Sequence, residues 1–256
     1  MNLFYLIIFF IFGLAMGSFY AVIGYRIPRE ESFIKGHSHC DNCGHRLSFL
    51  DLFPILSYII LRGRCRYCKQ KISSLSTWME FFSGVLFALS YYVFGFSLEL
   101  LIALGIVSLL VILSITDISY MIIPDEILIF FGAYFLIITF FQRGILNVLI
   151  SIGSGIALFV IMYLIMVIGN AIFNKETLGG GDVKLMAVVG MVLTPITGII
   201  SIFLGSLLAL PISFLLLLKK NQNLIPFGPF LLIAFAILYF MKIDDSIVLS
   251  YFRLFY

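Results

Sequence analysis

Long apolar runs separated by short polar stretches make up most of the chain. Eight runs approach the length of about 20 residues that a helix needs to cross the hydrocarbon core of a bilayer. They cover residues 3–25, 78–94, 98–116, 125–141, 145–173, 183–193, 196–218 and 226–241. The sixth run is short and is followed by Thr194-Pro195, so it is either a half-helix or part of the seventh. The pattern predicts an all-α polytopic membrane protein with about eight transmembrane helices.

The composition supports a membrane protein. Hydrophobic residues make up 62% of the chain and charged residues 11%, whereas soluble domains have about 45–50% and about 25%. The first run is not a cleavable signal peptide, because no basic residue precedes it and it exceeds the roughly 7–15 residues of a signal core. We therefore predict a first transmembrane helix in residues 1–25, a polar loop in residues 26–77 and a membrane-embedded core in residues 78–256.

The cations are unevenly distributed. The polar loop contains nine of the 16 Lys and Arg residues: Arg26, Arg29, Lys35, Arg46, Arg62, Arg64, Arg66, Lys69 and Lys71. Loops rich in Lys and Arg stay in the cytoplasm, so this loop is expected inside and the N-terminus outside. Eight alternating spans then place four further cations inside: Lys175, Lys184, Lys219 and Lys220. The remaining three fall outside: Arg143, Lys242 and Arg253.

The only four cysteines lie in the polar loop and form two C-x2-C pairs: Cys40, Cys43, Cys65 and Cys68. Two such pairs are typical of tetrahedral zinc sites, and four sulfur ligands leave no open position, which predicts a structural zinc ion in a ribbon-like loop. Disulfides are disfavoured in a reducing cytoplasm. Three nearby histidines are interpreted as solvated loop residues, although each could replace a ligand: His37, His39 and His45.

Three aspartates stand near the ends of apolar runs: Asp117, Asp125 and Asp182. Ionisable residues at membrane depth are costly and suggest function. Asp125 also suits a helix start, where an acidic group meets the positive end of the helix dipole. Asp182 follows three glycines that permit close backbone approach, although helix capping is an alternative. The predicted topology puts Asp117 and Asp182 at the same cytoplasmic boundary, where two carboxylates can share a proton and activate water.

Several motifs occur in a recognisable order along nearly the whole chain. They are Gly13 to Phe19, the two cysteine pairs, Thr116-Asp117 with Tyr120, Gly179-Gly180-Gly181-Asp182-Val183-Lys184, and Pro226-Phe227-Gly228-Pro229. The set resembles the bacterial type IV prepilin leader peptidases, members of the GxGD class of intramembrane aspartic proteases. The resemblance implies that Asp117 and Asp182 are the catalytic pair, and that Gly179, Gly181 and Lys184 support the motif.

The resemblance also implies a reaction and its participants. The enzyme would cut the basic leader from prepilin or pseudopilin precursors at the cytoplasmic face of a bacterial inner membrane, and S-adenosyl-L-methionine would then methylate the new N-terminus. Thr77-Trp78-Met79 and Asp41 depart from the family pattern, and they lie in the region linked to methyl transfer. No glycine-rich dinucleotide fingerprint identifies a methyl-donor site. The expected partners are the precursors and the lipid bilayer without nucleic acid, while homo-oligomerisation stays open.

Other functions stay open on the sequence alone. An archaeal preflagellin peptidase is disfavoured by the cysteine loop. A non-enzymatic zinc-ribbon scaffold would tolerate Asp182→Asn, and a proton-coupled transporter would need both aspartates reachable from both sides of the membrane. A basic leader would avoid the cationic loop, so Asp125 and Glu126, which closely follow Asp117, are predicted to contact it.

Overall fold

Helices account for nearly all the regular structure in the computed structural model, which describes residues 2–33, 37–40, 42–218 and 226–253. Ten α-helices occur in this part of the chain: α1 Leu3–Arg26, α2 Leu56–Ile60, α3 Leu75–Phe94, α4 Leu98–Tyr120, α5 Asp125–Arg143, α6 Ile145–Phe173, α7 Gly180–Gly190, α8 Pro195–Leu218, α9 Gly228–Phe240 and α10 Asp245–Arg253. Two 3-10 turns lie at Ile27–Arg29 and Phe49–Asp51. The cations Lys35, Lys219 and Lys220, and the departure at Asp41, lie outside the described residues.

The all-α membrane class is confirmed. Each of the eight apolar runs contains a helix, and among the described residues five helices are long and apolar enough to cross a membrane: α1, α4, α5, α6 and α8. Helix α9 is apolar but shorter, and α3 and α7 fall outside the set of five. Helices α2 and α10 lie outside the predicted runs.

The sixth and seventh runs form separate helices. Helix α7 ends at Gly190 and α8 begins at Pro195, where proline suits the first helical position because its missing N–H needs no partner there. Helix α7 also begins at Gly180, three residues before the predicted run. Gly180 and Gly181 of the motif therefore belong to the first turn of the helix, and Gly179 precedes it.

The chain divides into two compact units, of which the first comprises Met1–Leu100 and Val111–Tyr120. Its core is the antiparallel pair α1 and α3, which small residues bring close together. A Cβ on Gly13 would lie 2.7 Å from the Ser83 carbonyl oxygen, and one on Gly17 would lie 2.8 Å from the Cα of Glu80. At the opposite end of the pair, the rings of Phe9 and Tyr91 stack at 4.9 Å.

The second unit comprises Leu101–Leu110 and Met121–Tyr256. Helix α7 is largely buried in it, and the side chains of Leu185, Met186 and Val189 are fully buried. Helix α6 approaches α7 closely, since a Cβ on Gly190 would lie 2.8 Å from the Cα of Gly155. Packing on this scale resists displacement, so the start of α7 is held in a defined position within its unit.

Candidate active site and metal centre

The four cysteines come together in the first unit. Their sulfur atoms lie within 4.8 Å of one another, none forms a disulfide, and the Cys40 and Cys68 sulfurs are 3.8 Å apart. Tetrahedral Zn–S bonds of about 2.3 Å place sulfurs about 3.8 Å apart. The cluster therefore fits a four-coordinate metal ion such as zinc, and the described histidines are not part of it.

Each cysteine pair lies in the same kind of backbone turn. The N–H of Gly44 donates to the Cys40 carbonyl at 2.8 Å, and the N–H of Lys69 donates to the Cys65 carbonyl at 3.0 Å. Both donors have positive φ, 67° for Gly44 and 61° for Lys69. An antiparallel bridge flanks each turn, His39 with Arg46 and Arg64 with Lys71. Two matching turns aim four sulfurs at one point, which is the arrangement that a structural metal ion needs.

The thiols of the cluster differ in acidity. The backbone N–H of Gln70, followed by the Asn42 amide, lowers the pKa of Cys68 to about 6. The backbone N–H of His45 lowers the pKa of Cys43, but burial and the neighbouring cysteines outweigh it and raise that pKa to about 11. The Cys68 thiol therefore loses its proton readily, whereas the Cys43 thiol keeps its proton near neutral pH. A divalent cation would favour the fully deprotonated set, because zinc binds thiolates and not thiols.

A carboxylate network braces the second turn. Asp51 accepts hydrogen bonds from the Arg66 Nε at 2.6 Å and the Ser48 hydroxyl at 2.7 Å. Burial alone would raise the pKa of Asp51, but these donors lower it to about 2. Tyr67 also donates to Asp51, and its ring lies against His45 of the first turn. Arg66 therefore pairs with Asp51.

Asp117 lies inside helix α4, because that helix continues to Tyr120 beyond the predicted end. Its side chain is buried, with 6% of the residue exposed, and the neighbouring Thr116 is fully buried. The Arg29 Nε donates to the Tyr120 hydroxyl at 2.7 Å, which ties the turn after α1 to the last turn of α4. Burial of an ionisable group in an apolar helix favours a functional role over a solvated one.

Asp182 is the third residue of α7, and Gly179 occupies the position before the helix. Its backbone N–H donates to the Gly179 carbonyl at 3.1 Å, and no side-chain hydrogen bond caps the helix. The residue is buried, with 7% exposed. The alternative that Asp182 is the N-cap is therefore wrong, and the reason for a buried carboxylate at this position lies elsewhere.

The three glycines before Asp182 have different surroundings. A Cβ on Gly181 would lie 2.8 Å from the Ile123 Cβ, and one on Gly179 would lie 3.3 Å from the Asp182 Oδ2. A Cβ on Gly180 would meet nothing within 4 Å. Gly181 therefore lets the segment before α5 pass across the start of α7, and Gly179 leaves room beside the carboxylate.

Lys184 connects the start of α7 to the start of α5. Its Nζ donates to both carboxylate oxygens of Asp125, at 2.8 and 2.7 Å. Asp125 is the first residue of α5, which confirms the predicted helix start with an acidic group at the positive end of the dipole, and it makes no side-chain capping bond. Glu126 is exposed next to it. The pair could not be read from the sequence, because 59 residues separate its two partners.

Glu80 is a second feature that the sequence did not single out as functional. Its Oε2 accepts the backbone N–H of Ile55 at 2.9 Å, and Ser18 of α1 also hydrogen-bonds to its side chain. A lone carboxylate in an apolar helix is the signal that could have identified it.

The chain thus combines two buried aspartates in apolar helices with a four-cysteine cluster that could hold a metal ion. Residues 11–94 match the family model of the bacterial peptidase A24 N-terminal domain, and residues 104–214 match that of the type IV leader peptidase family. The chain belongs to the type IV leader peptidase family. The cysteine cluster lies within the first match, and Asp117 and Asp182 lie within the second.

Full-length relatives support this membership. The prepilin leader peptidase/N-methyltransferase of Bacillus subtilis is 36% identical over 251 residues, covering 96% of this chain and 98% of the relative. Proteins with the same name from Vibrio cholerae and Pseudomonas putida are 31% and 30% identical. The Vibrio alignment covers 92% of this chain and 96% of the relative, and the Pseudomonas alignment 88% and 86%. No solved structure matches the chain significantly.

Proposed function

We propose that this protein is an aspartic endopeptidase that removes the basic leader from type IV prepilin or pseudopilin precursors. Asp117 and Asp182 supply the two carboxylates. The observation that supports these assignments best is their burial, 6% and 7% exposed, in helices that are otherwise apolar. Membership of the type IV leader peptidase family supports the reaction and the substrate class.

The chemistry needs one carboxylate protonated and one ionised, and two nearby carboxyl groups with a shared proton meet that need near neutral pH. The ionised group takes a proton from water, and the resulting hydroxide attacks the scissile carbonyl carbon. The protonated group gives its proton to the carbonyl oxygen. Collapse of the tetrahedral intermediate then breaks the C–N bond, the first group gives its proton to the leaving amine, and the second group recovers its proton from a hydroxyl of the intermediate.

The topology follows from the cation distribution. We propose that the N-terminus is outside, that residues 26–77 face the cytoplasm of a bacterium and that residues 78–256 form the peptidase core in the inner membrane. Cys40, Cys43, Cys65 and Cys68 would hold one structural zinc ion. Zinc would fix the two turns of the loop without taking part in hydrolysis, because four sulfur ligands leave no position for water.

A second activity is proposed from the relatives, whose names include N-methyltransferase. The amine freed by cleavage would attack the methyl group of S-adenosyl-L-methionine. The C–S bond breaks, S-adenosylhomocysteine leaves and the amine loses a proton. The chain's departures at Thr77-Trp78-Met79 fall outside the Asp117 and Asp182 motifs in sequence, so cleavage is expected even where methylation is weak.

Substitution of each aspartate tests the peptidase assignment. Asp117→Asn and Asp182→Asn should each abolish cleavage of a synthetic prepilin by the purified enzyme in liposomes, since each carboxylate has a separate proton to transfer. Asp125→Asn is the matched control and should retain most activity, because Asp125 is partnered by Lys184 on the exposed surface. A scaffold or a transporter would show no cleavage with the unsubstituted protein, and near-normal cleavage by either Asn variant would refute the assignment.

Leader recognition is proposed to involve Glu126 more than Asp125. Both were predicted contacts, but Lys184 already neutralises Asp125, whereas Glu126 is exposed. An exposed charge pair contributes about 0–1 kcal/mol and weakens with salt, so Glu126→Lys should raise KM up to about fivefold. The measurement compares both enzymes on a basic leader and on one with its lysines replaced, at low and high salt. If the enzyme substitution and the leader substitution change KM additively at low salt, Glu126 is not a leader contact.

A further inference from the structure

Apolar side chains are exposed in one short part of the polar loop. Within residues 50–60, the large exposed hydrophobic residues are Leu50, Leu52, Phe53, Leu56, Ile59 and Ile60. Ile59 is 63% exposed and Ile60 is 74% exposed. An apolar cluster of this kind in a loop marks a surface that contacts something other than water.

The polarity of helix α2 is inverted compared with that of a helix in water. Ser57 and Tyr58 line a cavity of about 270 Å³ inside the first unit, together with Ser18 of α1 and Thr77 and Glu80 of α3. Leu56, Ile59 and Ile60 point away from the protein. A helix on a soluble surface turns its apolar side chains inwards and its polar ones outwards. Polar residues inside and apolar residues outside indicate a hydrocarbon environment on the outer face.

The depth of this segment is set by its bond to α3. Glu80 accepts the Ile55 N–H and lies level with Gly17 of α1, as the close approach of Gly17 to the Glu80 Cα shows. Gly17 is about 13 Å from Arg26 along the axis, at about 1.5 Å per residue. Helix α1 is a candidate membrane span. The segment thus reaches back from the loop to the level of residues inside that span.

The backbone at Ile55 fits such a position. Its φ of 60° and ψ of −49° are unusual for a β-branched residue, and its N–H is held by the Glu80 carboxylate. Irregular backbone is tolerated at membrane depth only where the protein satisfies its polar groups. Glu80 provides that satisfaction from within α3. Trp78, exposed two residues earlier in the same helix, suits the bilayer interface where tryptophan is enriched.

We propose that residues 52–60 form a re-entrant segment that inserts Leu56, Ile59 and Ile60 into the lipid of the membrane that surrounds α1 and α3. Two exposed cations that follow, Arg64 and Lys69, lie next to it in sequence and complement anionic phospholipid headgroups. The two cysteine turns are thereby anchored at the bilayer surface, and α2 separates the cavity that Ser57 and Tyr58 line from lipid. This surface is independent of Asp117 and Asp182.

The single tryptophan of the chain makes a direct test possible. The protein is reconstituted in liposomes of phosphatidylglycerol and phosphatidylcholine brominated on its acyl chains, which quench nearby tryptophan. In a Trp78→Phe background, Ile60→Trp and Leu56→Trp report on α2, and Lys71→Trp beside the second cysteine turn is the control. Insertion of about 5–10 Å should reduce the fluorescence of either α2 reporter about twofold, as for Trp78 in the unsubstituted protein. Lys71→Trp should respond to aqueous acrylamide instead.

Two results would overturn the proposal. If the α2 reporters respond to acrylamide and not to brominated lipid, the segment lies in water. If neither agent quenches them, another protein surface, such as a second copy of the chain, covers α2. Zinc content and helical circular dichroism are measured on every variant, and the two independent α2 reporters guard against misfolding of either one.

Discussion

Alanine substitutions at Gly180 and Gly181 should show whether the GxGD motif needs glycine because there is no space for a Cβ or because of glycine's backbone freedom. Both glycines lie in the first turn of α7, so alanine has the same effect on backbone freedom at each. A Cβ on Gly181 would come within 2.8 Å of the Ile123 Cβ, whereas one on Gly180 would meet nothing within 4 Å. Only the Gly181 substitution forces α7 and the segment before α5 apart.

The two substitutions are expected to change the free energy of unfolding differently: Gly181→Ala should lower it, and Gly180→Ala should leave it unchanged or raise it. Overpacking of a close contact costs about 1–3 kcal/mol, and Ile123 is a rigid β-branched residue whose Cβ cannot rotate away. Gly181→Ala should therefore lower the free energy of unfolding by about 1–3 kcal/mol. Because Asp182 is the next residue, a small shift of α7 should also reduce kcat by about tenfold or more. Gly180→Ala should be neutral or stabilise by up to about 1 kcal/mol, the helix propensity gained from alanine.

The assay is cleavage of a synthetic prepilin in liposomes, with thermal unfolding followed on the same preparations. A double-mutant cycle with Ile123→Gly isolates the contact, because removing the Ile123 Cβ should recover part of the loss caused by Gly181→Ala. Equal damage from Gly180→Ala and Gly181→Ala would refute the steric explanation. So would a Gly181→Ala enzyme with normal activity and stability.

Three further predictions concern the metal centre and the two bonds that the sequence did not reveal. Single Cys→Ser changes at Cys40 or Cys68 should lower the bound zinc from about one ion per chain and increase proteolysis of the loop. Protein purified without chelator that contains no zinc, and whose four thiols all react with an alkylating agent, would contradict this prediction. Glu80→Gln should retain most of the free energy of unfolding, because its amide oxygen still accepts the Ile55 N–H, whereas Glu80→Ala should lower it by about 1–3 kcal/mol. Equal losses in the two variants would exclude this hydrogen bond as the cause. Lys184→Met should reduce kcat no more than Asp125→Asn does, because both changes break the same exposed ion pair, and such pairs contribute about 0–1 kcal/mol. A much larger loss of kcat in Lys184→Met would show that Lys184 acts other than through Asp125.

Local sequence features predicted most of the helices and the metal cluster. Apolar runs of helical length located α1, α4, α5, α6 and α8, because a membrane span must be continuous in sequence. The two C-x2-C pairs predicted the sulfur cluster because the two cysteines of each pair are close in sequence. Only the approach of one pair to the other depends on a long-range contact. Helix α2 was missed because its five residues are too few to show a period, and its exposed apolar face resembles an ordinary core pattern.

The features that hold the candidate site were harder to predict, because each depends on tertiary contacts. The motif pointed to the glycines before Asp182, but only the position of Ile123 shows that Gly181 is sterically constrained and Gly180 is not. The Lys184 pair likewise adds to the interpretation of Asp125, which lies at the predicted helix start and also connects α5 to α7. A proline followed by two acidic residues predicts a helix start whichever partner the first carboxylate has. Asp125 alone therefore does not give the charge near Asp182, because Asp125 and Lys184 neutralise each other. Of the two acidic residues Asp125 and Glu126, Glu126 is then the one that a basic leader would meet.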